Sequence, residues 1–219
     1  MEIRPLLLGH RGARAERTVS ENTLPSFDLA LAQGCDGFEF DVRLSADGHA
    51  VICHDATSRG LRIAESSAQK LALPYLREVL VHYWSTAFLD IELKVPGLET
   101  IATDLLRKLA PRGFVVSSFL PEVLKVIHDL DETIPLGLIC ETRAEFSRWP
   151  QLPVEYVIPH HKLVGKRLID EIKTAGKKIF VWTVNATVDM KRFSKWGVDG
   201  MISDHPKRLV RAVGRQGKS

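Results

Sequence analysis

The run Gly37-Phe38-Glu39-Phe40-Asp41-Val42-Arg43-Leu44-Ser45-Ala46-Asp47-Gly48-His49-Ala50-Val51-Ile52-Cys53-His54 decides the fold. It contains two strand-like stretches, Gly37–Val42 and Ala50–His54, separated only by residues 43–49. A parallel crossover takes about a dozen residues or more, so this link is a hairpin. Asp47-Gly48 supplies its turn. The second stretch is therefore an antiparallel excursion and drops out of any count of parallel strands.

Working outward, further strands are expected at Leu6–His10, Phe88–Lys94, Phe114–Ser118, Leu136–Ile139, Tyr156–Ile158, Ile179–Thr183 and Gly200–Ser203. Helices are expected at about Thr23–Gln33, Leu98–Leu109, Pro121–Leu130, Thr142–Arg148, Gly165–Ala175, Thr187–Lys195 and Pro206–Val213. Thr23 and Pro25 carry the capping and early-proline signals of a helix start. Gly34, Gly176 and Gly197 stop the helices before them. Strand and helix alternate, which reads as a parallel sheet. Eight such units in 219 residues predict an α/β fold of the closed (β/α)8 TIM barrel type, with the extra hairpin strand after the second barrel strand. The whole chain, residues 1–219, is expected to be one domain.

The bulk composition narrows the function. Thirty basic and 27 acidic residues leave a net charge of +3, too balanced to imply nucleic-acid binding. The basic stretch Lys207–Lys218 (Lys207, Arg208, Arg211, Arg215, Lys218) reads as a solvated helix and tail. Cys35, Cys53 and Cys140 are scattered and odd in number, which supports neither a disulfide frame nor a zinc site. Each sits in or beside an apolar run, as a small buried thiol does. Leu6–Leu8 is too short for a signal peptide, and no apolar run has the length of a membrane span. A cytoplasmic protein without a stable membrane anchor is expected. No feature points to an oligomeric state.

In such a barrel, active groups sit at the C-terminal ends of the strands. Glu39 and Asp41 are two apart, so they share a strand face, with Phe38, Phe40 and Val42 on the other. The apolar side belongs under the helices, which turns the two acids into the barrel. Carboxylates roughly 6–7 Å apart at the base repel in a low-dielectric site, and a divalent cation between them relieves it. All-oxygen ligation suits Mg2+ or Ca2+. Glu92 and Lys94 repeat the spacing: Glu92 is a third candidate ligand, and Lys94 can meet an anion or balance the acids. His10 and His54, both at strand ends, are candidates for proton transfer near neutral pH. Arg11 offers a fork that matches phosphate, and Gly12 lets the backbone turn sharply. Together these groups describe a site for a phosphate ester.

The ordered set His10-Arg11-Gly12, Glu21-Asn22-Thr23, Glu39-Phe40-Asp41-Val42, Asp47-Gly48, His54-Asp55, Glu92-Leu93-Lys94, Ser118-Phe119, Trp182-Thr183-Val184-Asn185 and Gly197-Val198-Asp199-Gly200 resembles the glycerophosphodiester phosphodiesterase family across nearly the whole chain. The resemblance implies a TIM barrel, one divalent cation (Mg2+ or Ca2+), and cleavage of a small-molecule glycerophosphodiester to glycerol 3-phosphate and an alcohol. It implies His10 and His54 as the acid–base pair and Glu39, Asp41 and Glu92 as metal ligands. Arg11 and Lys94 match positions near the phosphate, and Trp182 resembles an aromatic wall of the substrate pocket. Water or the substrate's own glycerol hydroxyl, through a cyclic phosphate, could be the attacker, and either histidine the acid. Two departures stand out. The stretch Ala56–Leu73 is shorter than the family's usual insertion at the pocket mouth, and Ser203 stands where Thr is commoner. A phospholipase D-like activity on lysophospholipids or sphingolipids would use the same groups. An inactive barrel binding a phosphorylated metabolite, or a purely structural subunit, would not need the complete set.

Overall fold

A computed structural model describes residues 4–214. Eight parallel strands close into a ring: β1 (Leu6–His10), β2 (Gly37–Leu44), β3 (Phe88–Leu93), β4 (Phe114–Ser118), β5 (Leu136–Cys140), β6 (Tyr156–Pro159), β7 (Lys178–Val181) and β8 (Gly200–Ser203). Each pairs with the next, and β8 pairs back onto β1 through Leu6 opposite Gly200 to Gly9 opposite Ser203. The excursion strand, Ala50–Ile52, runs antiparallel to β2, with Val42 facing Ile52 and Leu44 facing Ala50. The hairpin reading thus holds. Cys53 stays tied to the ladder through its N–H to the Asp41 carbonyl at 3.0 Å, while His54 leaves it.

The two faces of the strands carry different chemistry. Phe38, Phe40 and Val42 of β2 lie in a large apolar layer with residues of the surrounding helices, including Phe27, Leu80 and Tyr83. The barrel interior is a separate cluster of Leu8, Val115, Ile139, Tyr156, Ile158, Phe180 and Ile202. Every one of these is an inward position of the period-two alternation. Gly200 belongs to the same inward set: a Cβ there would sit 2.5 Å from the Phe180 ring. The glycine is what lets Phe180 fill the barrel floor.

Helix boundaries follow capping chemistry. Leu24–Ala32 starts at Thr23, whose side chain accepts the Ser26 N–H. Gly197 ends Thr187–Trp196 in the left-handed conformation (φ 79°) that favours glycine. The Thr142–Arg148 helix is a correction: it runs only Arg143–Phe146, then passes to a 3-10 turn at Trp149–Gln151. Pro150 has no N–H to continue an α-helical ladder. A helix absent from the sequence reading, Leu76–Tyr83, provides the crossover from β2 to β3. Its buried Leu76, Val79, Leu80 and Tyr83 have helical spacing.

Between the excursion strand and that helix, the chain makes a small hairpin (Thr57–Ser58 with Leu61–Arg62), a 3-10 turn at Ile63–Glu65 and one helical turn at Ala68–Leu71. Asp47 ties this piece to the hairpin turn, accepting from the Ser45 hydroxyl and the Ala68 N–H. All three cysteines are free thiols; Cys35 and Cys140 are buried, whereas Cys53 is half-exposed because it lies where the excursion strand ends at the rim. Lys207, Arg208 and Arg211 lie on the helix Pro206–Val213, whose buried side is Pro206 and Leu209. Arg215 and Lys218 fall outside the described residues. Among the described residues no helix is long and apolar enough to cross a membrane.

Candidate active site

The strand register assembles the site row by row. His10 is paired with Glu39, Glu39 with Asp90, Asp41 with Glu92, and Glu92 with Ser117. Of these, His10, Glu39, Asp90 and Glu92 line one cavity of about 300 Å3 at the C-terminal ends of the strands, with Arg11, His54, Lys94, Phe119, Ile139, Glu141, Ile158, Trp182 and Ile202.

Glu39, Asp41 and Glu92 converge. One carboxylate oxygen from each lies within 4.8 Å of the other two, and all three side chains are buried. Glu39 Oε1, Asp41 Oδ1 and Glu92 Oε1 are buried without a hydrogen bond. Lys94 Nζ comes within 3.2 Å of Asp41 Oδ1 and 2.7 Å of Glu92 Oε1 but is out of line for a bond to either. Three buried acids, two of them sharing the Lys94 ammonium and the third leaving Glu39 Oε1 with no partner, carry charge that a hard cation would satisfy, so these residues fit a divalent ion. The crowding shows in their acidities. Burial and the charges of Asp41, Glu92 and Asp90 push Glu39 well above the carboxylate range. Burial and Asp41 push Glu92 up to about 7, against the pull of Lys94. Asp41 alone is held down: burial is outweighed by the charges of Lys94 and Arg11 and the hydrogen bond from Asn22.

His10 is held from behind. Its Nδ1 lies 2.6 Å from Asp204 Oδ1, while Nε2 faces the cavity, 3.8 Å from Glu39 Oε2. Asn185 donates to Asp204 Oδ2 at 2.6 Å, and Arg14 donates to Oδ1 at 3.2 Å. Burial opposes ionisation of Asp204, but the hydrogen bonds from His10 and Asn185 and the Arg14 charge hold it well below the usual carboxylate range. An ionised Asp204 accepts from Nδ1–H, which leaves the Nε2 lone pair toward the cavity. Burial is the largest influence on His10 itself and pushes its imidazole below the ordinary value. The Ser203 hydroxyl donates to Asn185 Oδ1 at 3.1 Å, so serine preserves the bond that orients Asn185.

Arg11 and Gly12 are both left-handed (φ 50° and 80°), and together they turn the chain sharply over the cavity. A Cβ on Gly12 would meet Ser26 Oγ at 2.5 Å, so the turn requires glycine there. The turn sends Arg11 N–H to Glu39 Oε2 at 3.0 Å and the guanidinium between Glu21 (2.8 Å) and Asp41 (3.3 Å). His54 sits at the rim, its side chain 34 % exposed, with Nδ1 at 2.7 Å from Asp55. Arg43 Nε donates to the His54 carbonyl and fixes the loop. Trp182 closes the opposite side, its indole N–H donating to the Ile158 carbonyl at 2.9 Å.

The structure therefore brings together His10, Arg11, Glu39, His54, Glu92, Lys94 and Trp182 on one cavity, with Asp41 directly beneath Arg11 and Lys94. It adds residues to which the sequence reading gave no role at the site. Asp90 is buried under Glu92, accepts from Ser117 Oγ at 2.6 Å, and is pushed up to about 7 by burial. Its spacing of two from Glu92 was the available signal. Asn22 donates to Asp41 Oδ2 at 2.8 Å, and Asp204 backs His10.

The chain is similar to known proteins. The model of the glycerophosphoryl diester phosphodiesterase family matches residues 10–87 and 92–208. A glycerophosphodiester phosphodiesterase of Caldanaerobacter subterraneus is 28% identical over 98% of this chain and 100% of its own length. An Oleispira antarctica phosphodiesterase, solved in complex with its product sn-glycerol-3-phosphate, superposes with a TM-score of 0.85 at 27% identity, covering 97% of this chain and 98% of that one. The glycerophosphodiester phosphodiesterase of Thermotoga maritima shares the fold with a TM-score of 0.82 at 24% identity, over 94% of this chain and 97% of that one. A barrel closed in the same order and a family match running from the first strand's histidine to the last helix lead to one conclusion: this chain belongs to the glycerophosphoryl diester phosphodiesterase family, and is a phosphoric diester hydrolase.

Proposed function

We propose that this chain, as a single barrel domain, hydrolyses glycerophosphodiesters to glycerol 3-phosphate and an alcohol, with one divalent cation, Mg2+ or Ca2+, held by Glu39, Asp41 and Glu92. The observation that carries the proposal is the trio of converging carboxylates, each with a buried oxygen lacking a hydrogen bond. When bound, the cation supplies Lewis-acid polarisation of the phosphoryl group.

The chain's own residues do the rest. Lys94 and Arg11 hold negative charge on the phosphate, and both come already aligned by Glu92, Asp41 and Glu21. His10, with Nδ1–H bound to Asp204 and Nε2 free, accepts a proton from the attacking hydroxyl. His54, on the rim beside Asp55, donates to the leaving alcohol and exchanges its proton with solvent. The same two groups serve direct water attack or passage through a cyclic phosphate. Asn22 and Asn185 orient Asp41 and Asp204 without entering the chemistry.

A cavity of about 300 Å3 is at the small end of ligand sites, and suits a headgroup-sized diester better than one trailing an acyl chain. The test is release of glycerol 3-phosphate from glycerophosphocholine, beside release of choline from lysophosphatidylcholine, by metal-stripped protein with Mg2+ or Ca2+ added back. Metal-dependent release from the first substrate supports the proposal. Activity confined to the lysolipid, or full activity in chelator, would overturn it.

A further inference from the structure

Behind the cavity, the groups assigned to the proton and to the phosphate are joined through one side chain. Arg14 lies between β1 and the helix Leu24–Ala32, and its guanidinium bridges two carboxylates. Nε donates to Glu21 Oε2 at 2.8 Å, and Nη1 donates to Asp204 Oδ1 at 3.2 Å. Each carboxylate also holds a residue that lines the cavity. Glu21 Oε1 accepts from Arg11 Nη1 at 2.8 Å, and Asp204 Oδ1 lies 2.6 Å from His10 Nδ1. His10, Asp204, Arg14, Glu21 and Arg11 therefore form an unbroken chain. It crosses the seam of the barrel: Arg14 and Asp204 are 190 residues apart and meet because β8 closes onto β1.

Stability gives little reason for this bridge. The Arg14 side chain is 40 % exposed and that of Glu21 38 %, and exposed ion pairs contribute little to folding. The loop has backbone ties of its own, from the Ala13 N–H to the Ser26 carbonyl at 3.1 Å and from the Ala15 N–H to the Asp204 carbonyl at 3.0 Å. Arg14 does not line the cavity, so its influence on the chemistry runs through its two partners. Charge and shape are what it supplies. Among the described residues it is the sole arginine or lysine paired with Asp204, and Glu21 pairs otherwise only with Arg11. Without Arg14, Asp204 would face His10 with no cation at its back. Glu21 would then be held by Arg11 alone, the group it has to hold. A planar guanidinium serves two carboxylates in a fixed geometry, which a point-charge ammonium cannot do.

We propose that Arg14 is a positioning residue that orients His10 and Arg11 together, so that the proton acceptor and the phosphate-binding fork are set as one unit. It acts through Asp204 on the imidazole and through Glu21 on the Arg11 guanidinium. This assignment rests on the glycerophosphodiesterase reading and adds a residue outside the cavity to its machinery.

The test is a kinetic cycle on glycerophosphocholine with Mg2+ or Ca2+ in excess. It uses Arg14→Ala, Glu21→Gln, Asp204→Asn and the two double variants that contain Arg14→Ala. Asp204→Asn is expected to act mainly on kcat and Glu21→Gln mainly on KM. Arg14→Ala should lower kcat/KM by roughly 10–100-fold, with the loss split between the two parameters. Its unfolding midpoint should stay close to wild type. Adding Arg14→Ala to Asp204→Asn should leave kcat within about twofold of the single variant, and adding it to Glu21→Gln should leave KM so, because each arm is already cut. Guanidinium ion at millimolar concentration should restore part of the Arg14→Ala activity, since the side chain's place is open to solvent. A structural role would give neither the coupling nor the rescue. Fully multiplicative losses in both doubles, or a change in only one of kcat and KM, would overturn the inference while leaving the hydrolase reading intact. A lowered unfolding midpoint without rescue, or unchanged kinetics, would overturn it too. Absence of glycerol 3-phosphate release by wild type would remove the hydrolase reading and this one with it.

Discussion

The mouth of the barrel is built in two halves that obey opposite rules. Strands β1–β3 and the excursion loop contribute His10, Arg11, Glu39, Asp41, His54, Asp90, Glu92 and Lys94, a crowd of ionisable groups in which several buried oxygens lack partners. Strands β4–β8 contribute the buried Ile139, Ile158 and Ile202, the partly buried Phe119 and Trp182 packed against them, and a single exposed acid, Glu141. The apolar half holds the barrel together, while the polar half crowds charges at a cost in stability that the proposed cation and substrate would offset.

That contrast can be broken or sharpened by substitution. The largest effects belong to the polar half. His10→Ala and His54→Ala should each reduce turnover about 10²–10⁴-fold with unfolding midpoints close to wild type. Near-normal turnover in either variant would remove it from the acid–base pair. The apolar half should respond the other way: Phe180→Ala, on the barrel floor, should cost about 3–5 kcal/mol in denaturant unfolding. If instead it left stability unchanged, the interior cluster would not be the structural half.

Asp204→Asn tests whether His10 is oriented from behind. An amide can donate to Nδ1 and turn the ring to the wrong tautomer, so kcat should fall about 10–100-fold with KM little changed. A change confined to KM would place Asp204 in substrate binding. The smallest and most diagnostic effect is a gain. In chelator, Glu39→Gln removes one of the crowded charges and should stabilise the metal-free protein by about 0.5–2 kcal/mol while abolishing activity with metal. A loss of stability in chelator would mean that the three acids are not in conflict.

How much of this is legible in the sequence depends on the distance along the chain between the residues concerned. Period-two spacing inside a run is local information, so it alone places Glu39 with Asp41, and Glu92 with Lys94, on one strand face. Asp90 carries the same signal and is readable by the same rule. The hairpin after β2 follows from loop length alone. The helix Leu76–Tyr83 has readable apolar spacing, yet its short length conceals it. The His10–Asp204 bond joins residues 194 apart, and it exists only because β8 closes onto β1. Likewise the apolar half of the pocket is assembled from single residues at five strand ends, none of which forms a motif. Closure of the ring makes those contacts, and nothing short of the closed ring announces them.

The central claim is that three anionic side chains at the mouth of β2 and β3 hold a hard divalent ion. It is tested most directly by titrating Mg2+ and Ca2+ separately into chelator-stripped protein and following the heat of binding, with Asp41→Asn and the Glu39→Gln/Glu92→Gln double variant in parallel. The account predicts saturable binding of one ion per chain by the wild type and its loss in both variants. Binding of undiminished strength in the double variant, or no binding of either ion by the wild type, would contradict it.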